Sequence, residues 1–193
     1  MGFIQPLVAS WEKRIYRSPL LSNLYGLPYH QVIKKEVDLA NITAQDIILN
    51  IGCGAVPFTA IYLATLSGAK VWAVDRDREA VAKARVCLKK LNLQDRINVI
   101  KREGNENIEV HFTAAVVALQ AEPKSNILTN LLTSSPSGAR LIFREARKLL
   151  QSQYDYLPKE FHFVKQITHY AQTFNSVLFV KQHGGSTSLP VNH

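Results

Sequence analysis

The sequence is poor in cysteine: Cys53 and Cys87 are the two thiols in 193 residues. One falls in a glycine turn and the other in a helical stretch. Neither a disulfide framework nor a metal site is expected, and a reducing cytoplasm is the expected compartment. Apolar runs are short, and none reaches the roughly 20 residues that a membrane helix needs. The stretch from Met1 to Arg14 has an apolar patch with no basic leader before it, so no secretory signal is expected. Pro6 stands where a Met-Gly myristoylation site wants Ser or Thr. There is no G-x-x-x-x-G-K followed by Ser or Thr, which leaves a P-loop triphosphate site unsupported. Long basic runs and aromatic-interleaved stacking motifs are also missing, although the net charge is +8. Pairs such as Lys34-Lys35, Lys89-Lys90 and Lys101-Arg102 read as solvated helix faces or strand ends. Nucleic acid is therefore not the expected partner, whereas small carboxylate-bearing molecules suit the charge. With 47% hydrophobic and 20% charged residues, this is an ordinary globular chain of one domain.

What is present begins at Ile47–Ala64, IILNIGCGAVPFTAIYLA. An apolar β-type run leads into Gly52-Cys53-Gly54 and then into a helix-like run. A second apolar run follows and ends in Ala73-Val74-Asp75. Strand, Gly-x-Gly turn, helix, strand and acid make a nucleotide-binding βαβ unit. The glycines permit close approach of the backbone, and the acid at the strand tip can accept from both hydroxyls of a ribose. A dinucleotide turn would place a third glycine at position 57, where this chain has Pro57. A ligand with adenosine but no pyrophosphate fits better. S-adenosylmethionine (SAM) is one, and the pattern looks like that of class I SAM-dependent transferases. The bland alternative is a plain βαβ bend with a capping aspartate. The strand-end acid and the alternating elements downstream favour the ligand.

The expected fold is α/β, a Rossmann-like seven-stranded SAM-transferase sheet with a short N-terminal helical leader. Residues 1–45 form that leader, a partial lid broken at Pro6, Pro19 and Pro28. Residues 46–183 form the SAM-binding domain, and 184–193 a polar, flexible tail. Strands are expected at Ile47–Ile51, Lys70–Val74, Ile97–Ile100, Phe112–Leu119 and Ala139–Phe143. Helices are expected at Pro57–Leu66, from Asp77 to about Leu91, at Lys124–Leu132 and at Arg144–Gln151. Gly68 and Asp77 read as caps. Phe161–His169 and Asn175–Lys181 read as an antiparallel closing pair.

Several stretches resemble one family more closely than the fold alone requires. Gly52-Cys53-Gly54-Ala55-Val56-Pro57-Phe58-Thr59 looks like the Gly-(Gly/Ser)-Gly-Pro-Leu-Pro-Leu-Thr turn of nicotianamine synthases. Ala118-Leu119-Gln120-Ala121-Glu122-Pro123-Lys124 is similar to the Ala-Ala-Leu-Ala-Glu-Pro-Lys of archaeal members. Leu141-Ile142-Phe143-Arg144 with Tyr154, Asn175-Ser176-Val177, Pro19-Leu20 and Leu27-Pro28-Tyr29 resemble further family stretches in the same order. The resemblance covers most of residues 19–182. It implies transfer of the aminocarboxypropyl group of SAM to an amine, release of methylthioadenosine (MTA), and a metal-chelating product. Departures are His30, where the family has a second tyrosine, Ala55, where it has proline, and the short leader.

The resemblance implies Tyr29 and Glu12 as catalytic residues, with Tyr29 orienting an amine and Glu12 as base. Gly52, Cys53, Gly54, Asp75, Arg76, Asn105 and Ala118 are the candidates for SAM, Asn105 by pairing with an exocyclic amine. His30, Pro57, Arg144 and Tyr154 are the candidates for the small amino-acid substrate. Each has a bland counterpart: Tyr29 in packing, Glu12 on a solvated helix face, and Arg144 paired with an acid. His162, His169 and His183 are spaced too widely for a metal. Two other readings stay open. One is an ordinary SAM methyltransferase on a small molecule or RNA, although the motif Asp/Asn-Pro-Pro-Tyr/Phe and a Pro-Cys nucleophile are both missing. The other is a SAM-binding partner subunit without activity. A homodimer would cover a site that the short leader leaves open.

Overall fold

The computed structural model describes residues 27–158, 160–170 and 172–182. Of the expectations above, Glu12, Pro19-Leu20, His183 and the tail lie outside them. The described residues open with helix α1 (Leu27–Leu39), strand β1 (Ile47–Ile51), helix α2 (Phe58–Ser67), β2 (Lys70–Asp75), α3 (Arg78–Lys90) and β3 (Ile97–Lys101). It continues with β4 (Ala114–Val117), α4 (Lys124–Ser134), β5 (Arg140–Ala146), a 3-10 turn (Lys148–Gln153), β6 (Lys165–Thr168) and β7 (Phe174–Val180). The strands form one sheet in the order β3-β2-β1-β4-β5-β7-β6. The first five are parallel, and β7 runs antiparallel to both β5 and β6. This is the expected seven-stranded SAM-transferase sheet.

Central strands read as continuous apolar runs because helices cover both faces. All four residues of β4 are buried. One face of the sheet packs on α1, α2 and α3 through Ile33, Ile48, Ile61, Leu63, Val71, Leu88, Val116 and Ile142. The other packs on α4 through Leu49, Val117, Ile127, Leu128, Leu131, Phe143 and Phe179. Phe143 and Phe179 meet edge to face, with centroids 5.8 Å apart.

The caps fall where the sequence puts them. Gly68 ends α2 with φ 78°, and the Asp77 side chain accepts from the Glu79 N–H at 2.8 Å to open α3. Three elements differ in extent, and the first is the strand expected at Phe161–His169, which forms only at Lys165–Thr168. Arg144–Ala146 extend β5 rather than open a helix, because each pairs with β7, Arg144 opposite Ser176 and Ala146 opposite Phe174. Only Lys148–Gln153 coil, as a 3-10 turn with no buried residue. Expected strand four shrinks to Ala114–Val117, since pairing with β1 ends at Ile51 where the glycine turn begins.

The sheet order reverses direction between β1 and β4. In open α/β sheets the crevice beyond that point, at the carboxyl ends of the strands, is where ligands bind. The opposite end is closed by Asp46. Its carboxylate accepts from the Thr43 N–H at 2.8 Å, from Thr113 Oγ1 at 2.6 Å and from Arg140. Burial raises the Asp46 pKa, but these bonds and the arginine charge outweigh it, so the carboxyl lies below its usual range. Asp46→Ala strips a partly buried guanidinium and hydroxyl of one acceptor and should cost about 2 kcal/mol. Because Asp46 is at the far end of the sheet, ligand affinity should not change. Urea unfolding beside a binding titration checks both.

Candidate active site at the carboxyl ends of the strands

After Ile51 the chain turns through Gly52 (φ 79°) and Gly54 (φ 68°), conformations that favour glycine. The Gly52 and Cys53 N–H groups both donate to the Val74 carbonyl, at 2.8 and 3.1 Å. The Gly54 N–H donates to Asp75 Oδ2 at 2.7 Å, and the Asp77 N–H to Asp75 Oδ1 at 3.0 Å. One aspartate thus fixes the glycine turn and the start of α3 together. A Cβ on Gly52 would lie 2.9 Å from that of Ala118, so the ends of β1 and β4 meet as closely as backbone allows. A Cβ on Gly104 would lie 2.7 Å from Ile51 Cγ2, which brings the loop after β3 down onto the same floor.

Two cavities open around this pinch. The first, about 310 Å³, is lined by Ile51, Asp75, Arg76, Arg102, Glu103, Gly104, Ala121, Glu122 and Ile127. Arg76 and Glu122 face each other at 3.3 Å across it, both more than half exposed, so the pair contributes little stability. The second, about 460 Å³, is lined by Tyr29, Cys53, Phe58, Thr59, Leu119, Arg144, Tyr154, Gln172, Thr173 and Phe174. Gly52, Gly54, Ala118 and Gln120 line both, so the cavities are two lobes joined at the waist where β1 and β4 end. Burial and the nearby Asp75 charge push the Cys53 thiol up to about 12. It stays protonated at neutral pH and is a poor nucleophile.

Behind the second lobe lies a buried polar network. Glu36 of α1, 0% exposed, accepts from Arg144 Nε at 2.9 Å and Nη2 at 2.8 Å. The other terminal nitrogen, Nη1, donates to the Tyr29 hydroxyl at 2.7 Å and to Thr59 Oγ1 at 3.1 Å. Tyr29 and Thr59 are themselves 2.7 Å apart. Ser176 donates to Glu36 Oε1 at 2.6 Å. That uses its only proton, so the 2.9 Å contact with His169 Nε2 requires the imidazole to donate there. Burial favours the neutral forms, yet the paired charges win: Glu36 lies below its usual range and Arg144 above. His169 is held below the usual histidine range, by burial first and then by Arg144 and other cations, with Glu36 opposing.

The family model described as nicotianamine synthase protein matches residues 16–186. The chain belongs to the nicotianamine synthase family. It is 27% identical over 123 residues to L-histidine 2-aminobutanoyltransferase of Yersinia pestis, covering 62% of this chain and 45% of that protein. The chain therefore spans less than half the length of that relative. Among solved structures, a mutant of MtNAS in complex with S-adenosylmethionine superimposes with a TM-score of 0.76 at 22% identity, over 90% of this chain and 71% of that one. MtNAS in complex with MTA and tNA gives 0.74 at 22% identity, over 89% and 69%. An RNA methyltransferase from Salinibacter ruber gives 0.64 at 15% identity, over 82% and 95%. At these identities the likeness establishes a shared fold.

Within this nicotianamine synthase fold, the residues singled out from sequence are placed as follows. Gly52, Gly54, Asp75, Arg76 and Ala118 line the first lobe, and Tyr29, Cys53, Arg144 and Tyr154 the second. Asn105 is exposed and outside both linings, because Gly104 is drawn onto Ile51; Glu103 and Gly104 line the lobe instead. His30 packs edge-on against Tyr62, centroids 5.5 Å apart, and is not a lining residue. Pro57 is buried just before α2, also outside the lining. Arg144 lines the second lobe, but its bidentate edge is taken by Glu36. Sequence reasoning missed Glu36, Ser176 and His169 as one network. The available signal was Arg144 inside an apolar strand, since a buried cation demands a buried acid. Among the described residues, no cluster of three His, Cys, Asp or Glu is arranged for a metal, and no helix is long and apolar enough to cross a membrane.

Glu36→Gln leaves the Arg144 charge buried and unbalanced, and should lower stability by about 3 kcal/mol in urea unfolding. The double variant Glu36→Leu with Arg144→Met should lose less than the two single changes added together. The pH dependence follows from His169. Its folded pKa is depressed, so its stabilising contribution is complete above the unfolded value of 6.5 and is lost as pH falls below it. The thermal midpoint of the wild type should drop more steeply between pH 7 and pH 5 than that of His169→Gln.

Proposed function

We propose that the chain transfers the aminocarboxypropyl group of SAM to the amine of a small amino acid and releases MTA. The observation that carries this reading is the two-lobed cavity with its waist at Gly52 and Ala118. Adenosine in the first lobe would set its ribose hydroxyls against Asp75, whose carboxylate keeps acceptor capacity beyond its bonds to Gly54 and Asp77. Gly52 and Gly54, without side chains where the two lobes adjoin, would leave the sulfonium room over the backbone. The amino-acid arm would then extend into the second lobe. Methyl transfer needs only an aperture at the sulfur. Transfer of the arm needs room for an acceptor beside the arm's own carbon, and the second lobe supplies that room.

In this reading the acceptor nitrogen bonds to the arm carbon attached to sulfur. The carbon–sulfur bond breaks, its electron pair neutralises the sulfonium, and MTA departs. The amine gives up a proton. No carboxylate occurs among the described residues lining the second lobe, so the base is assigned to Glu12 through the family resemblance. Tyr29, held by Arg144 and Thr59, orients the amine. Holding two reactants in line is where such a site gains most of its rate. Phe58, Tyr154 and Phe174 give the lobe aromatic walls, with Gln120, Gln172 and Thr173 as polar contacts. This lining, and the relative that acts on histidine, support a heteroaromatic amino acid as acceptor. The product would be a nicotianamine-like chelator.

Incubation with SAM and L-histidine, followed by mass spectrometry, tests the reading. MTA should accumulate together with a product heavier than histidine by one aminocarboxypropyl unit. S-adenosylhomocysteine in place of MTA would mean methyl transfer and overturn it. Asp75→Ala should weaken SAM binding about tenfold or more in calorimetry. Glu12→Gln should lower kcat about a hundredfold, with SAM affinity near that of the wild type.

A further inference from the structure

Lys124 opens α4, and its side chain is fully buried, 0% exposed. The position is adverse twice over: a buried ammonium loses its hydration, and a helix N-terminus repels positive charge. What offsets this is a set of contacts joining two walls of the second lobe. Lys124 Nζ donates to the carbonyl of Leu119, just after β4, at 2.9 Å and also to the carbonyl of Asp155. The Lys124 N–H donates to Asp155 Oδ2 at 2.5 Å, so the first turn of α4 is capped by a side chain 31 residues further along the chain. Asp155 is otherwise flanked by Tyr154 and Leu157, each only partly buried against the core, and by few hydrogen bonds. The 3-10 turn before them buries no residue. The Tyr156 N–H donates to Asp155 Oδ1 at 2.9 Å, and the Leu157 N–H to Glu145 at 3.3 Å. Leu119, itself one anchor, and Tyr154, next to the Asp155 anchor, both line the second lobe.

We infer that Lys124 is a positioning residue of the second lobe, fixing Tyr154 and the turn at Leu119–Gln120 without touching substrate. The consequence for binding rests on the reading of the two lobes given above. SAM and MTA share the adenosine portion, and only SAM carries an arm into the second lobe. A residue that sets the walls of that lobe must affect the two ligands unequally. A residue that merely stabilises the fold must affect them alike.

Lys124→Met keeps the apolar bulk and removes the donors. Calorimetry on the full chain should show SAM affinity reduced about tenfold and MTA affinity within about twofold of the wild type. Tyr154→Ala should also lose SAM affinity, and Lys124→Met combined with Tyr154→Ala should lose clearly less than the two single losses added together. Equal losses for both ligands, no loss for either, or additive effects in the double variant would overturn the inference. A second measurement needs no ligand. Hydrogen exchange at Tyr156 and Leu157 should quicken in Lys124→Met, while exchange in β1 and β4 stays as in the wild type. Unchanged exchange at those two amides also overturns it. If Lys124→Met does not fold, Asp155→Ala removes the cap and carries both measurements with the same expected direction. A wild-type chain that binds neither SAM nor MTA refutes the proposed function, and the exchange result then decides on Lys124 by itself.

Discussion

The buried ion pair between Glu36 and Arg144 is the interaction on which the site depends. Each partner is costly to bury by itself, and the cost is recovered only through geometry. Both guanidinium nitrogens on one edge meet both carboxylate oxygens, and Ser176 satisfies Oε1 further. A pair of this kind is weak evidence for stability but strong evidence for register. Arg144 lies opposite Ser176 on β7, so Glu36 can find both partners only when α1 sits at one height on the sheet. Tyr29, about two turns before Glu36 on the same face of α1, is then delivered to the Arg144 nitrogen that Glu36 does not use. The tyrosine is placed by the ion pair, not by its own packing alone.

A second arginine on the same face of β5 supports this arrangement from the other end of α1. Arg140 donates to the carbonyls of Ala40 and Asn41, both at 3.2 Å, where a helix end favours a cation. The same guanidinium joins Asp46 and the Thr113 carbonyl. Strand β5 therefore holds α1 at two points, one at each end of the sheet. The end bearing Asp46 is closed by bonds within the fold. The end bearing Arg144 opens onto the second lobe.

Much of this was legible in the chain. Gly52, Gly54 and Asp75 announce the turn and the ligand end of the sheet, because their spacing is dictated by backbone geometry that few other folds require. Gly68 and Asp77 mark helix ends for equally local reasons. The end of β5 was not legible. Arg144–Ala146 contain two charged residues and read as helical surface, yet they are strand because β7 pairs with them from a distance in sequence. Asn105 and His30 failed to reach a lobe for similar reasons. Gly104 must hug Ile51 and Ile127, and His30 is turned against Tyr62. Local pattern finds residues whose role is set by the backbone next to them. It does not find partners joined across the fold, such as Glu36 with Ser176.

The same distinction explains how one sheet can host different reactions. The first lobe is built almost wholly from strand ends and the turns that leave them: Gly52, Asp75, Gly104 and Ala118. These positions follow from the fold, and chains of low identity that share the fold can share the lobe. The second lobe shares the turn after β1 and the end of β4, and adds Tyr29 of α1, Tyr154 after the 3-10 turn and Gln172, Thr173 and Phe174 at the start of β7. The added elements are not part of the parallel strands, and two of them are attached by a specific buried charge: α1 by Glu36 and Arg144, the Tyr154 segment by Lys124. Buried charges at these joints act as locators. An apolar contact of similar size would hold the elements as firmly, but it would tolerate a shift of an ångström that a bidentate pair does not. An aromatic pocket whose walls come from separate elements keeps its shape only if those elements are held without such a shift, and the ionic joints behind it do that.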